Sequence, residues 1–160
     1  MKTIKIYTDG SSRGNPGPGG YGIILEYGDH IKEISEGFRL TTNNRMELLS
    51  IIIAMESIKD FKGSILVFSD SKYVVDAINK KWVFSWHHKG YKNKKNPDLW
   101  KRFLKTYYSH QISFHWIKGH SGHSKNERCD HLAVQASRNQ KLKIDEGYEL
   151  SINSSRDLFN

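Results

Sequence analysis

Between Lys2 and Thr8 apolar and polar residues alternate, with Ile4 and Ile6 on one face and Lys5 and Tyr7 on the other, the two-residue period of a strand. Residues 19–27 and 31–40 show the same character on either side of Gly28-Asp29, which predicts an antiparallel meander. The period then changes. Met46, Leu49, Ile53 and Ile58 fall at helical spacing, and Asn44 with Glu47 three residues later predicts a helix opened by a capping box. Residues 64–69 form a short apolar strand, and residues 71–80 read as a helix. Asn96-Pro97-Asp98 is a helix start ahead of an apolar stripe of Leu99, Trp100, Phe103 and Leu104. Residues 112–116 alternate as a last strand. After a loop at 119–123, residues 126–138 carry Cys129, Leu132, Ala133 and Ala136 on one helical face. The pattern predicts one mixed α/β domain over residues 1–150 and a polar, frayed tail over 151–160.

At 160 residues the chain can bury roughly 70% of its unfolded surface in a single core. Its 37% hydrophobic and 26% charged residues fit a folded domain rather than a disordered chain. Apolar runs such as 51–55 are far too short for a bilayer span, and the N-terminus enters its first strand without the apolar core and cleavage site of a signal peptide. No membrane partner and a cytoplasmic location are therefore expected. Cys129 is the single cysteine, so no intrachain disulfide can form, and no disulfide-linked partner is expected.

The formal charge of +8 is concentrated in one segment. Residues 1–79 hold nine Lys/Arg and ten Asp/Glu, and residues 106–160 hold seven and six. Residues 80–105 hold nine basic residues against Asp98 alone, interleaved with Trp82, Phe84, Trp86, Tyr91, Trp100 and Phe103. A solvated helical face accounts for such a run, and so does a grip on a phosphate backbone.

Three motifs compete for the chemistry. Gly17-Pro18-Gly19-Gly20-Tyr21-Gly22 satisfies G-x-G-x-x-G, but a dinucleotide site needs a helix to follow, whereas Pro16 and Pro18 rigidify a turn and residues 21–25 read as strand. A tight turn between strands is expected there. His115, His120, His123, Cys129 and His131 crowd together, yet no second cysteine completes a zinc pattern. The third motif is a set of carboxylates, Asp9, Glu47, Asp70 and Asp130. Each has an ordinary reading, as turn residue, capping-box partner, helix cap and exposed helical charge respectively. Yet Asp9 and Asp70 both end strands, and open α/β sheets collect ligands at the carboxyl ends of their strands. Converging carboxylates repel unless a cation neutralises them, and an all-oxygen site selects Mg²⁺ or Mn²⁺.

These residues stand in ordered motifs: Thr8-Asp9-Gly10-Ser11, residues 14–22, Thr42-Asn43-Asn44-Arg45-Met46-Glu47-Leu48, Ser69-Asp70-Ser71-Lys72-Tyr73-Val74, residues 116–123, and Asn126-Glu127-Arg128-Cys129-Asp130. Together the motifs resemble ribonuclease H of type 1, the bacterial HI kind, over almost the whole chain. Arg13, Ser69 and Lys72 depart from the usual pattern and leave the carboxylates intact. The resemblance implies a ribonuclease H-like α/β fold, a five-stranded mixed sheet flanked by helices, with a basic protrusion at about 80–105. It implies endonucleolytic hydrolysis of the RNA strand of RNA/DNA hybrids, leaving 5′-phosphate and 3′-hydroxyl ends, with removal of RNA primers and R-loops as the duty.

Under the same resemblance Asp9, Glu47, Asp70 and Asp130 hold Mg²⁺, with Mn²⁺ as substitute and two ions in the substrate complex. Asp9 bridges them, Glu47 and Asp70 favour the nucleophile side, and His120 moves protons or helps product leave. Asn15, Asn43, Asn44 and Ser71 lie along the minor groove, where 2′-hydroxyls distinguish RNA. Lys89, Lys92, Lys94 and Lys95 grip the hybrid from the protrusion. The family implies a monomer; the start at the first strand implies no accessory N-terminal hybrid-binding domain. Two rivals stand beside this reading: a catalytically silent hybrid-binding module, and a nuclease or recombinase of related fold acting on DNA.

Overall fold

The N-terminal alternation folds as β1 (Thr3–Ser12), which pairs antiparallel with β2 (Gly17–Tyr27); β2 in turn pairs antiparallel with β3 (His30–Thr41). On the other side of β1, β4 (Ser64–Ser69) and then β5 (Gln111–Trp116) add in parallel, giving the order β3-β2-β1-β4-β5. The computed structural model describes residues 2–119 and 121–159. Six helices accompany the sheet: α1 (Asn43–Glu56), α2 (Lys72–Asn79), α3 (Trp82–His88), α4 (Pro97–Tyr107), α5 (Ser124–Ser137) and α6 (Glu146–Phe159).

Side-chain alternation along β1 assigns the two faces of the sheet. Ile6 joins Met46, Leu48, Ile51, Ile52 and Met55 of α1, Val67 of β4, and Trp100 and Phe103 of α4 in one core. Helix α1 is buried nearly all round because it lies between the sheet and α4. The opposite face of β1 and β2 receives α5. There Cys129 Sγ donates to the carbonyl of Tyr7 at 3.2 Å.

Four expectations change. Residues 17–22 are strand, and the turn is residues 13–16. The glycines serve packing: a Cβ at Gly22 would collide with the Cys129 carbonyl oxygen, so a bare backbone there lets α5 approach the sheet. Helix α1 is capped two residues earlier than expected, by Thr42, the hydroxyl accepting from Arg45 N–H at 3.2 Å. Helix α3 was not expected; it starts from Lys81 in the left-handed region without a side-chain cap, so no residue type announced it. Residues 151–159, expected to fray, continue α6, whose first turn is held by Asp145 accepting from Tyr148 N–H at 3.3 Å.

Replacing Gly22 by Ala forces α5 outward. The expected loss of stability is about 1–3 kcal/mol, the usual cost of overpacking, and a denaturant midpoint equal to that of the unaltered protein would refute this packing account.

Candidate active site

The ordinary readings of three of the four carboxylates do not hold. Asp9 lies inside β1 rather than in a turn, Glu47 is not a capping partner because Thr42 is the cap, and α2 is capped by Ser71, not Asp70. Their positions follow from register and close approach. Tyr7 is opposite Phe68 in the parallel β1–β4 pair, so two residues further on Asp9, inside β1 rather than at its end, stands level with Asp70, just past the end of β4. Gly10 next to Asp9 faces α1, where a Cβ would collide with the backbone of Met46 and Glu47; its absence seats Glu47 against the strand end. Asp9 is the register partner of Gly22, the residue that admits α5, and α5 delivers Asp130 to the same place.

The result is a cleft of about 420 Å³ lined by Asp9, Glu47, Asp70 and Asp130 together with Asn43, Asn44 and Ser71. One carboxylate oxygen from each of Asp9, Glu47 and Asp70 lies within 4.8 Å of the others, a spacing that fits a metal ion. Burial, reinforced by the charges of Asp70 and Asp130, pushes the Asp9 carboxyl up to about 8. Burial and the charges of Asp9 and Asp70 also push Glu47 well above the carboxylate range. Glu47 Oε2 is buried without a hydrogen-bond partner. Such an oxygen, beside carboxylates that cannot all ionise together, suits a divalent cation as the missing partner.

The other expected residues divide by distance from this cluster. Asn43, Asn44 and Ser71 line the cleft, while Asn15 and Asn44 line an adjoining groove of about 1230 Å³ whose far wall includes Lys94 and Lys95. Lys89 and Lys92 are exposed on the protrusion and line neither cavity. His120 lies outside the described residues. No group of His115, His123, Cys129 and His131 with metal-binding geometry occurs among the described residues. Of the departures from the family pattern, Arg13 donates to the Ser137 carbonyl at 2.9 Å, fastening the β1–β2 turn to the end of α5. The Lys72 ammonium lies over the Trp116 ring at 4.8 Å, and Trp116 Nε1–H donates to the Asp70 carbonyl at 3.0 Å.

One residue behind the site escaped sequence reasoning. Arg45, only 3% exposed, donates to both carboxylate oxygens of Asp145 (2.8 and 2.9 Å) and to both of Asp98 (2.9 and 2.7 Å). It ties α1, which carries Asn43, Asn44 and Glu47, to the first turn of α4 and to the residue preceding α6. Asn96 extends the tie, accepting from Arg45 at 3.3 Å and donating to the Tyr73 hydroxyl at 3.1 Å. An arginine between Asn44 and Glu47 in a helix whose neighbours are buried was the available signal.

The RNase H family model matches residues 1–138. The chain belongs to the ribonuclease H family. It is 51% identical over 150 residues to a ribonuclease H of Desulforamulus reducens, covering 91% of this chain and 94% of that protein. Among solved structures, LC9-RNase H1, described as a type 1 RNase H with the type 2 active-site motif, superposes with a TM-score of 0.77 at 32% identity over 88% of this chain and 74% of that one. LC11-RNase H1 in complex with RNA/DNA hybrid gives a TM-score of 0.61 at 28% identity over 83% of this chain and 95% of that one. Ribonuclease H enzymes are metal-dependent endoribonucleases, and the Asp9–Glu47–Asp70 cluster of this member could hold a metal. No helix among the described residues is long and apolar enough to cross a membrane.

The raised Asp9 value has a definite sign for stability. Unfolded Asp9 ionises near 3.8 and folded Asp9 near 8, so the metal-free native state binds the extra proton and loses stability as pH rises between those values. Thermal melts from pH 4 to pH 8 should show that decline without metal, and Mg²⁺ should flatten it. A metal-free melting temperature that rises throughout this window would contradict the assignment.

Proposed function

We propose that this protein hydrolyses the RNA strand of RNA/DNA hybrids, leaving 5′-phosphate and 3′-hydroxyl ends, with Mg²⁺ as its natural ion and Mn²⁺ as a substitute. The observation that carries the reading is the Asp9–Glu47–Asp70 oxygen cluster with Asp130 beside Asp9. Asp9, Glu47, Asp70 and Asp130 would hold the ions, two of them in the substrate complex, and Asp9 is the acid that neighbours the other three. Bound there, divalent ions supply electrostatic stabilisation to the attacking and leaving oxygens of an in-line displacement.

The chain's own residues supply the rest. Burial and mutual repulsion favour the protonated forms of Asp9 and Glu47, and a cation held there would favour their ionised forms. The buried setting of Asp9 and Glu47 fixes these carboxylates before substrate binds, so little reorganisation accompanies the reaction. Attack of water at phosphorus forms one P–O bond as the P–O3′ bond breaks; the water gives up one proton and the 3′ oxygen takes one, so no net proton is consumed, and we assign His120 to moving protons in this exchange or helping product leave. Asn15, Asn43, Asn44 and Ser71 bind along the minor groove. Lys89, Lys92, Lys94 and Lys95 contact phosphates from the protrusion. The protein acts as a cytoplasmic monomer in removing RNA primers and R-loops.

The deciding experiment is a metal titration of cleavage on labelled hybrid, double-stranded RNA and single-stranded RNA side by side. Hybrid alone should be cut, only with Mg²⁺ or Mn²⁺, and Asp70→Asn should abolish cutting while preserving the circular dichroism spectrum. Undiminished turnover by Asp70→Asn would sink the reading, and binding of hybrid without cleavage under any ion would favour the silent binding module. Neutralising Lys89, Lys92, Lys94 and Lys95 together should raise KM and flatten the salt dependence by up to about 0.9 log units per lost phosphate contact. An unchanged slope would return these lysines to a solvated face.

A further inference from the structure

Two amides beside the carboxylates have their orientation fixed by backbone donors. Ser12 N–H donates to Asn43 Oδ1 at 2.6 Å, and Asn43 N–H donates to Asn15 Oδ1 at 3.2 Å. The second bond satisfies a first-turn N–H of α1 that has no partner within the helix. A backbone N–H can only donate, so turning either amide over would set that donor against an NH₂ group. The Ser12 hydroxyl donates to the Gly14 carbonyl at 2.6 Å. Both asparagines are exposed, and neither NH₂ group has a partner among the described residues. Their oxygens are turned to backbone donors, which leaves the NH₂ groups for a ligand. Asn44, which lines both the cleft and the groove, makes no side-chain hydrogen bond among the described residues and can offer either group.

This asymmetry matters because of what a hybrid displays. An A-form-like duplex has a deep, narrow major groove closed to short side chains and a wide, shallow minor groove that exposes 2′-hydroxyls and base edges. Minor-groove edges carry acceptors at every base pair, adenine and guanine N3 and pyrimidine O2, and a single donor, the 2-amine of guanine. A 2′-hydroxyl both donates and accepts, so it is read equally well by a donor. The guanine amine is the one group that a donor-only amide cannot bond.

We propose that the internally bonded amides of Asn43, in the cleft, and Asn15, in the adjoining groove, each present only a donor to the minor groove, which disfavours guanine at the base pairs they face. The inference rests on the hybrid-cleaving reading above and adds to it a base preference set by the 2-amine. Asn44 contributes no such preference.

The test isolates that amine. A single guanine is stepped through the base pairs flanking the cleaved bond, in either strand of an otherwise A/U and A/T hybrid, and each guanine is compared with inosine, which lacks only the 2-amine. At the faced positions inosine should be cut about five-fold faster than guanine, the worth of roughly one hydrogen bond. Replacing adenine there by 2,6-diaminopurine should slow cleavage comparably. Asn43→Asp keeps an oxygen for Ser12 N–H, adds a charge that a helix N-terminus tolerates, and replaces the outward donor by an acceptor. In that variant the guanine-to-inosine ratio should invert at the position Asn43 faces, whatever the overall rate. Equal cleavage of guanine and inosine hybrids at every position by the unaltered protein would overturn the inference. So would a ratio unmoved by Asn43→Asp in a folded variant. Failure of the unaltered protein to cut any hybrid would instead be a failure of the proposed function.

Discussion

Carboxylates resist being gathered, and at this sheet end three of them have oxygens within 4.8 Å of one another, with Asp130 close by. Water would normally screen such charges, but Asp9 is 6% and Glu47 9% exposed. In that setting full ionisation is unfavourable, and the cluster must hold protons or a cation. The rest of the architecture either creates this repulsion or resists it. Parallel pairing of β1 with β4 levels Asp9 with Asp70, and two glycines let helices approach from opposite faces with Glu47 and Asp130. The apolar core around Ile6, Met46 and Trp100 supplies the opposing stability.

A second electrostatic feature balances the first at greater depth. Arg45 lies two residues before Glu47 on α1 and is enclosed by Asp98 and Asp145, two carboxylates for one guanidinium. Here opposite charges meet with near-complete hydrogen bonding, and the Arg45 pKa is pushed up despite burial, through its bonds to Asp98 and Asp145. The same helix therefore carries a frustrated carboxylate and a satisfied guanidinium. Removing Arg45 would leave the buried Asp145 carboxylate without its counter-ion, and the same guanidinium joins α1 to the protrusion helix α4 through Asp98. Arg45 and Asp98 line the same groove beside the cleft as Lys94 and Lys95.

How much of this was legible in the sequence depended on whether the cause was local. Strand alternation around Ile4 and Ile6, the Pro97 helix start and the ordered acid motifs are local, and the elements and all four carboxylates followed from them. The roles of Gly10 and Gly22 were not legible, because each is defined by a helix backbone distant in sequence. Thr42, not Asn44, caps α1, and Asn43 and Asn15 instead accept from backbone N–H groups where the β1–β2 turn meets that helix, long-range partners that short motifs cannot express. Helix α3 starts at a left-handed lysine, and α6 owes its first turn to Asp145 held by Thr41 and Arg45, a tertiary arrangement without a composition signature.

A cluster that stays together by holding protons must release them when a divalent cation arrives. Calorimetric titration of the metal-free protein with Mg²⁺ near pH 7, run in two buffers of different ionisation enthalpy, reads that release directly. The predicted result is a binding enthalpy that differs between the buffers by net proton release, fading as the pH is raised past about 8, where Asp9 already ionises. A binding enthalpy independent of buffer at pH 7 would mean that the carboxylates stand fully ionised before the metal binds, contrary to the account of the site given by its burial and crowding.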